Sequence, residues 1–227
     1  MSDMLKQIIA DKVIEVAALK ADPDSRSFAA KAADMPPARG FANALRKSLA
    51  QGYRLIAEFK RASPSRGQIN PDADPANIAQ SYEAGGATCL SVLTDHKYFG
   101  GHIDDMIAAK SATLMPVLRK DFMIDPIQII EARACGADCI LLIMSALSDS
   151  HAAELESCAI EYGLDVLIET HDGEEIERAL NLQSPMIGIN NRNLRTMTTD
   201  LAPGEDLMTL IPDNRIAIAE SGLKSSD

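Results

Sequence analysis

Only four cysteines occur, Cys89, Cys135, Cys139 and Cys158, and no two of them form a C-x-x-C pair. Their neighbours are apolar, so they read as small buried hydrophobes rather than metal ligands. The four histidines, His96, His102, His151 and His171, share no ligand spacing such as H-E-x-x-H and read as surface or loop residues, neither metal-bound nor catalytic. Positive charge is scarce as well: 22 Lys and Arg face 33 Asp and Glu, a formal net charge of -11. Such a surface repels nucleic acid as a whole, so any anionic ligand has to be held by a local cluster. No apolar run approaches the roughly 18 residues that span a bilayer, and the start, Met-Ser-Asp-Met-Leu-Lys, is not a basic leader. Those two absences place the chain in the cytoplasm. No G-x-G-x-x-G follows the first apolar run and no Walker sequence occurs, which counts against the nucleotide-binding open sheets.

What is present is a regular alternation. The 227 residues are 46% hydrophobic, enough for one large α/β core. Leu5, Ile8, Ile9, Val13, Val16 and Leu19 form the stripe of an amphipathic helix from Asp3 to about Lys20, capped by Ser2 or Asp3. Residues 22–40 contain Pro23, Pro36 and Pro37 and read as an irregular link. Phe41, Leu45 and Leu49 then mark a second short helix ending before Gly52. Seven short runs rich in Ile, Leu and Val follow, near Arg54–Lys60, Thr88–Leu93, Met115–Lys120, Asp138–Ile143, Asp165–Glu169, Met186–Asn190 and Arg215–Glu220, spaced by roughly 21 to 34 residues. Asp74-Pro75 and Asp125-Pro126 each open a helix that closes at a glycine, and Asp172 with Glu175 makes a capping-box-like start.

Regular βα steps with apolar strands mean a parallel sheet, and the lack of nucleotide motifs favours closure. The expected fold is a (β/α)8 TIM barrel, with residues 1–52 as an N-terminal helical extension packed on it and residues 53–227 as its strands 1 to 7. By the same spacing the last βα unit is absent from the chain.

In such a barrel each strand delivers its last inward residue to one rim, where active sites of this fold lie. Glu58 and Lys60 are two residues apart and share a strand face with apolar Ile56, so that face turns from apolar to charged. The other strand ends contribute Lys120, Glu169, Asn190 with Arg192 beyond it, and Glu220 followed by Ser221-Gly222. Two lysines and three glutamates on one rim are too polar for packing alone; a ring of solvated ion pairs is the competing explanation.

At this constellation the chain resembles the indole-3-glycerol-phosphate synthase family of tryptophan biosynthesis. The matching stretches are Ile56 to Ser65, Leu93-Thr94-Asp95 with Tyr98-Phe99-Gly100-Gly101, Pro116 to Phe122, Gly136-Ala137-Asp138 leading into Leu141-Leu142-Ile143, Glu169, Gly188 to Leu194, and Ala219 to Gly222. In this order and spacing they are highly specific and cover essentially the whole chain. The resemblance implies a lyase that closes a ring on 1-(2-carboxyphenylamino)-1-deoxyribulose 5-phosphate with loss of CO2 and water, without metal or organic cofactor. It implies Lys120 as general acid, with Lys60 and Glu169 supplying the second acid and the base and Glu58 a further candidate. It also implies an apolar slot of Phe99, Phe122 and Leu141 for the anthranilate ring. Asn190, Glu220 and Ser221 become polar substrate contacts with Arg192 and Leu194 beside them, and Lys60, Ser63 and Gly222 hold the phosphate. Small-molecule chemistry is expected, with no nucleic acid or membrane partner; other tryptophan-pathway enzymes are possible partners. The missing eighth strand suggests a truncated version of a longer protein; if the chain is complete, weak phosphate binding and little activity are expected, and a non-catalytic fragment that completes a barrel only with a partner chain or second copy is the rival. Another ribulose-phosphate barrel, such as phosphoribosylanthranilate isomerase, is the alternative enzyme; it would need a reactive strand-end cysteine.

Overall fold

The structure is a computed structural model that describes residues 2–47, 54–192 and 202–223. It opens with α1 (Asp3–Ala21), a 3-10 turn (Pro23–Ser27), α2 (Phe28–Asp34) and α3 (Phe41–Lys47). Residues 22–40 are therefore not an irregular link throughout. The alanine-rich run Phe28-Ala-Ala-Lys-Ala-Ala is strong helix former, and Pro36-Pro37 ends it. The helix expected from Phe41 is present; its expected continuation through Leu49 lies outside the described residues.

Seven strands make one sheet: β1 (Ile56–Phe59), β4 (Cys89–Leu93), β5 (Val117–Lys120), β6 (Cys139–Ile143), β7 (Asp165–Thr170), β8 (Met186–Asn190) and β9 (Ile216–Glu220). They pair in chain order and all in parallel. Each expected apolar run coincides with one of them, β7 running one residue further, to Thr170. Between β1 and β4 lie a small hairpin that the sequence did not reveal, β2 (Ala62–Ser63) with β3 (Gly67–Gln68), and helix α4 (Pro75–Ala84). The later connections carry α5 (His96–Phe99), α6 (Ile103–Ala112), α7 (Pro126–Ala134), α8 (Asp149–Glu161), α9 (Gly173–Ala179) and α10 (Ala202–Met208). No helix of the described residues is long and apolar enough to cross a membrane.

The start signals act as read. Asp74 accepts from the Ala76 amide at 2.9 Å, and Asp125 completes a capping box with Gln128. Asp172 accepts from the Glu175 amide, but the Glu175 carboxylate turns to the His171 amide at 2.9 Å, so the second half of that box serves the residue before the cap.

Alternation along each strand separates two cores. Outward residues such as Leu90, Val92, Ile140, Leu142, Ile168 and Ile187 pack under the helices. Inward residues Cys89, Leu118, Cys139, Leu141, Leu167, Met186 and Ile216 form a second cluster with Phe41, Ala42 and Leu45 of α3. Phe41 is fully buried, so α3 plugs the end of the sheet at which the strands begin. Asp165 fixes it there by accepting the Ala42 amide at 2.9 Å. Arg39 adds a second tie: its side chain donates to the carbonyls of Thr113 and Met115, while its amide donates to the buried Asp138 carboxylate.

Candidate active site

Lys120 shows that the sheet is curled. It ends the third strand of the sheet, yet its Nζ lies 2.8 Å from Glu220 of the seventh strand and 3.3 Å from Glu58 of the first. In a flat sheet the first and seventh strands would be about 28 Å apart at a spacing near 4.7 Å, beyond the reach of one ammonium. The strand-end lysine and glutamates thus meet across the mouth of a barrel, above the apolar layer of Leu118, Leu141 and Leu167. Lys60, one residue past β1, donates to the other oxygen of Glu58.

Burial alone would push the Lys120 ammonium down, but Glu220, Glu58 and Glu169 outweigh it and hold the group well above the usual lysine range. Burial raises a carboxyl, yet Lys120 and Lys60 keep Glu58 below its ordinary value. Glu220 moves the other way: burial leads, Glu169 and Glu58 add repulsion, and Lys120 offsets only part. Its Oε1 is buried and accepts no hydrogen bond among the described residues. Glu220 can lie across β8 only because position 188 is glycine; a Cβ there would strike the carboxylate.

Glu169 ends the inner face of β7. Asn190 donates to its Oε1 at 3.1 Å, and His171 Nε2 lies 3.3 Å away. The other ring nitrogen of His171 is 3.1 Å from Glu175. Burial disfavours the imidazolium, but the two carboxylates overcome it and lift the group to about 10. His171 is a loop residue as read, but not a surface one, with its side chain only 13% exposed. That charge and the Lys120 ammonium hold Glu169 ionised well below the carboxylate range despite burial.

Lys60, Lys120, Asn190 and the three strand-end glutamates line one cavity of about 850 Å³, within the range of small-molecule sites, with His171 behind Glu169 and off its wall. Of the residues read from the sequence, Glu58, Lys60, Ser63, Phe99, Lys120, Phe122, Leu141, Glu169, Asn190, Arg192, Glu220, Ser221 and Gly222 all face it. Leu194 lies outside the described residues. The Phe99 and Phe122 rings stand 6.1 Å apart, tilted by 38°, with Leu141 on the inner wall. Ser63, on the β2 strand that packs beside α5, accepts from the Arg66 amide at 3.3 Å, and past the end of β9 Ser221 and Gly222 follow one another in the left-handed region (φ 64° and 80°). Such backbone is strained for serine and is found where a loop must present its amides.

Sequence reasoning missed several neighbours. Arg66 of the β2–β3 turn faces the cavity, as do Ser2, Leu5 and Ile8 of α1. It also missed that Lys12, not Val13, continues the buried stripe of α1: Leu5, Ile8, Lys12 and Val16 are buried, while Val13 is 55% exposed. A lysine at a position whose periodicity demands an apolar residue was the available signal. Cys89 and Cys139 are the first residues of β4 and β6, at the far end from the rim, and burial pushes the Cys89 thiol up to about 12. No cluster of three potential metal ligands occurs among the described residues.

A parallel barrel whose strand ends gather ammonium groups and carboxylates around an aromatic-walled cavity defines a (β/α)-barrel enzyme. The solved tryptophan synthase subunit alpha from Legionella pneumophila shares this fold, with a TM-score of 0.57 at 15% identity over 83% of this chain and 80% of that one. The family model described as indole-3-glycerol phosphate synthase matches residues 5–227. Curated indole-3-glycerol phosphate synthases from Rhodospirillum rubrum and Azospirillum brasilense are 54% and 53% identical, each over 99% of this chain and 86% of the relative. The chain belongs to the indole-3-glycerol phosphate synthase family, decarboxylating lyases of tryptophan biosynthesis.

Proposed function

We propose that this chain, acting in the cytoplasm, converts 1-(2-carboxyphenylamino)-1-deoxyribulose 5-phosphate to indole-3-glycerol phosphate, CO2 and water. The observation that carries the reading is a single ammonium, Lys120, shared between Glu58 and Glu220 in a cavity walled on one side by Phe99 and Phe122. The anthranilate ring stacks in the aromatic slot. The phosphate reaches Lys60, Ser63, Arg66 and the amides around Gly222, which left-handed backbone turns toward an anion.

In the first step the ring carbon bearing the carboxylate attacks the ketone, forming the carbon–carbon bond while Lys120 delivers its proton to the carbonyl oxygen. Three carboxylates make Lys120 a weak acid, so only a base as strong as the developing alkoxide takes its proton, and transfer is tied to bond formation. Breaking the bond to the carboxylate releases CO2 and restores the aromatic ring. The new hydroxyl then leaves as water with a proton from Lys60, driven by the nitrogen lone pair. Glu169, ionised and held by Asn190 and His171, removes a proton from the methylene carbon to complete the indole. Glu58 bridges the two lysines and can pass a proton between them. Neighbouring tryptophan-pathway enzymes are the partners this role would bring.

The test is indole fluorescence with parallel CO2 measurement on the purified chain. One CO2 per indole is expected. Turnover of a ribulose phosphate without CO2 release would instead make this a barrel isomerase and overturn the lyase assignment.

A further inference from the structure

Lys12 lies in the middle of α1, is 3% exposed, and serves neither acid–base chemistry nor the cavity wall. Its Nζ contacts three carboxylates: Glu15 of its own helix at 2.6 Å, Asp95 at 2.9 Å and Asp121 at 3.0 Å. The last two are 1% and 4% exposed and belong to different strand ends. Asp95 follows β4 and, through its other oxygen, accepts the Tyr98 amide at 2.8 Å, which caps the short helix α5 that ends in Phe99. Asp121 follows β5 and accepts the Phe122 amide at 2.8 Å with the oxygen that meets Lys12; its second oxygen accepts from Thr94 at 2.6 Å. Each carboxylate thus grips the backbone of one wall of the aromatic slot, and one cation holds both.

The geometry points to Lys12 as a positioning residue that sets the width of the Phe99–Phe122 slot and couples it to the helix above. The reasoning is electrostatic. Without the ammonium no group bridges Asp95 and Asp121, so the two turns lose their tie; in Lys12→Met the pair is in addition two buried like charges that drive the turns apart or force one to take up a proton. Arg119, 3.4 Å from Asp121, compensates one of them only. Asp95 Oδ2 meets no donor other than Lys12 among the described residues, leaving the ammonium as its compensation. The same helix presents Leu5 and Ile8 to the cavity and meets α5 again through Asp11, which accepts from Lys97 at 2.7 Å and from the Tyr98 hydroxyl, but of these contacts only Lys12 reaches both Asp95 and Asp121.

This inference rests on the proposed use of the slot for the anthranilate ring, and its test keeps the two separable. Lys12→Met retains chain length and removes the charge. Lys12→Met/Asp95→Asn also removes the like-charge repulsion while keeping an oxygen that caps α5, which guards against a variant that merely fails to fold. For both, KM and kcat for the carboxyphenylamino substrate are measured, with the inhibition constant of inorganic phosphate and the dissociation constant of 2-aminobenzoate followed by its own fluorescence. The clamp requires KM and the 2-aminobenzoate constant to rise at least about tenfold in the folded double variant, the order of a misfitted apolar pocket. Phosphate inhibition should stay within about twofold and kcat should fall less than KM rises, since the slot binds ring and transition state alike. Ring affinity unchanged in either folded variant, or ring and phosphate affinity falling together, would overturn it and leave Lys12 a tie between elements. Should the parent chain make no indole, the function reading fails, and the 2-aminobenzoate constants still decide the clamp; a parent that binds no 2-aminobenzoate overturns it.

Discussion

Replacing Lys120 by methionine separates the charge of this residue from its bulk. Its two ion pairs, at 2.8 and 3.3 Å, correspond to gross attractions of about 6 and 5 kcal/mol at an effective dielectric near 20. Most of that is offset by the cost of desolvating the three groups, and removing one member of a buried cluster leaves a net loss of about 3–5 kcal/mol. The loss falls at the low end because Glu220, whose carboxyl already lies above its ordinary value, takes up a proton once the cation has gone. Lys120→Met should therefore unfold at lower urea while losing about 10²–10⁴ in kcat. Adding Glu220→Gln removes the orphaned charge, so Lys120→Met/Glu220→Gln should recover most of the stability and none of the rate. Paired urea titrations and indole-fluorescence kinetics measure both quantities on the same preparations. A double variant within about tenfold of the parent rate would refute the reasoning, because no proton donor would then remain at that position.

Two further outcomes follow from contacts around the same rim. Gly188→Ala should fold normally yet lose about 10² in kcat, the usual effect of misplacing a reactive group by an ångström, because the new methyl displaces Glu220 from Lys120; a rate within about threefold of the parent would contradict it. His171 links pH to stability. Its folded value of about 10 exceeds the unfolded 6.5, so its contribution is complete below pH 6.5 and is lost as pH rises to 10. Across that window the folded state holds one more proton and should lose up to about 1.4 kcal/mol per pH unit from this group. His171→Asn should flatten that slope in denaturant titrations, and an unchanged slope would show that the imidazole is not charged in the folded state.

The strands were legible because barrel geometry writes itself locally: each is a short apolar run, and the inward face of several ends in a polar residue, as at Glu58, Lys120, Glu169 and Glu220. Alternation of two fixed which strand residues meet and which face the helices. What escaped reading depends on partners far along the chain. Lys12 meets Asp95 and Asp121 more than eighty residues later, and the carboxylates near it in the chain, Asp11 and Glu15, announce neither of them. His171 lacks a metal-ligand spacing, and its significance comes from Glu169 two residues back and Glu175 four ahead, which only the turn into α9 brings to both ring nitrogens. The β2–β3 hairpin escaped because two-residue strands carry no periodicity. Helix α2 escaped because three prolines were allowed to outweigh six residues of strong helix former between them.

The plug formed by α3 gives the molecule a division of labour along its axis. Phe41 and Leu45 close one mouth of the barrel with hydrocarbon, and the charged cluster occupies the other, with a layer of leucines between. Substitutions of Phe41 or Leu45 should bear first on how long the protein survives heat, because the leucine layer stands between them and the cavity, so the two properties can drift apart. A lineage moving to a warmer habitat could rebuild that end residue by residue and carry its chemistry along untouched.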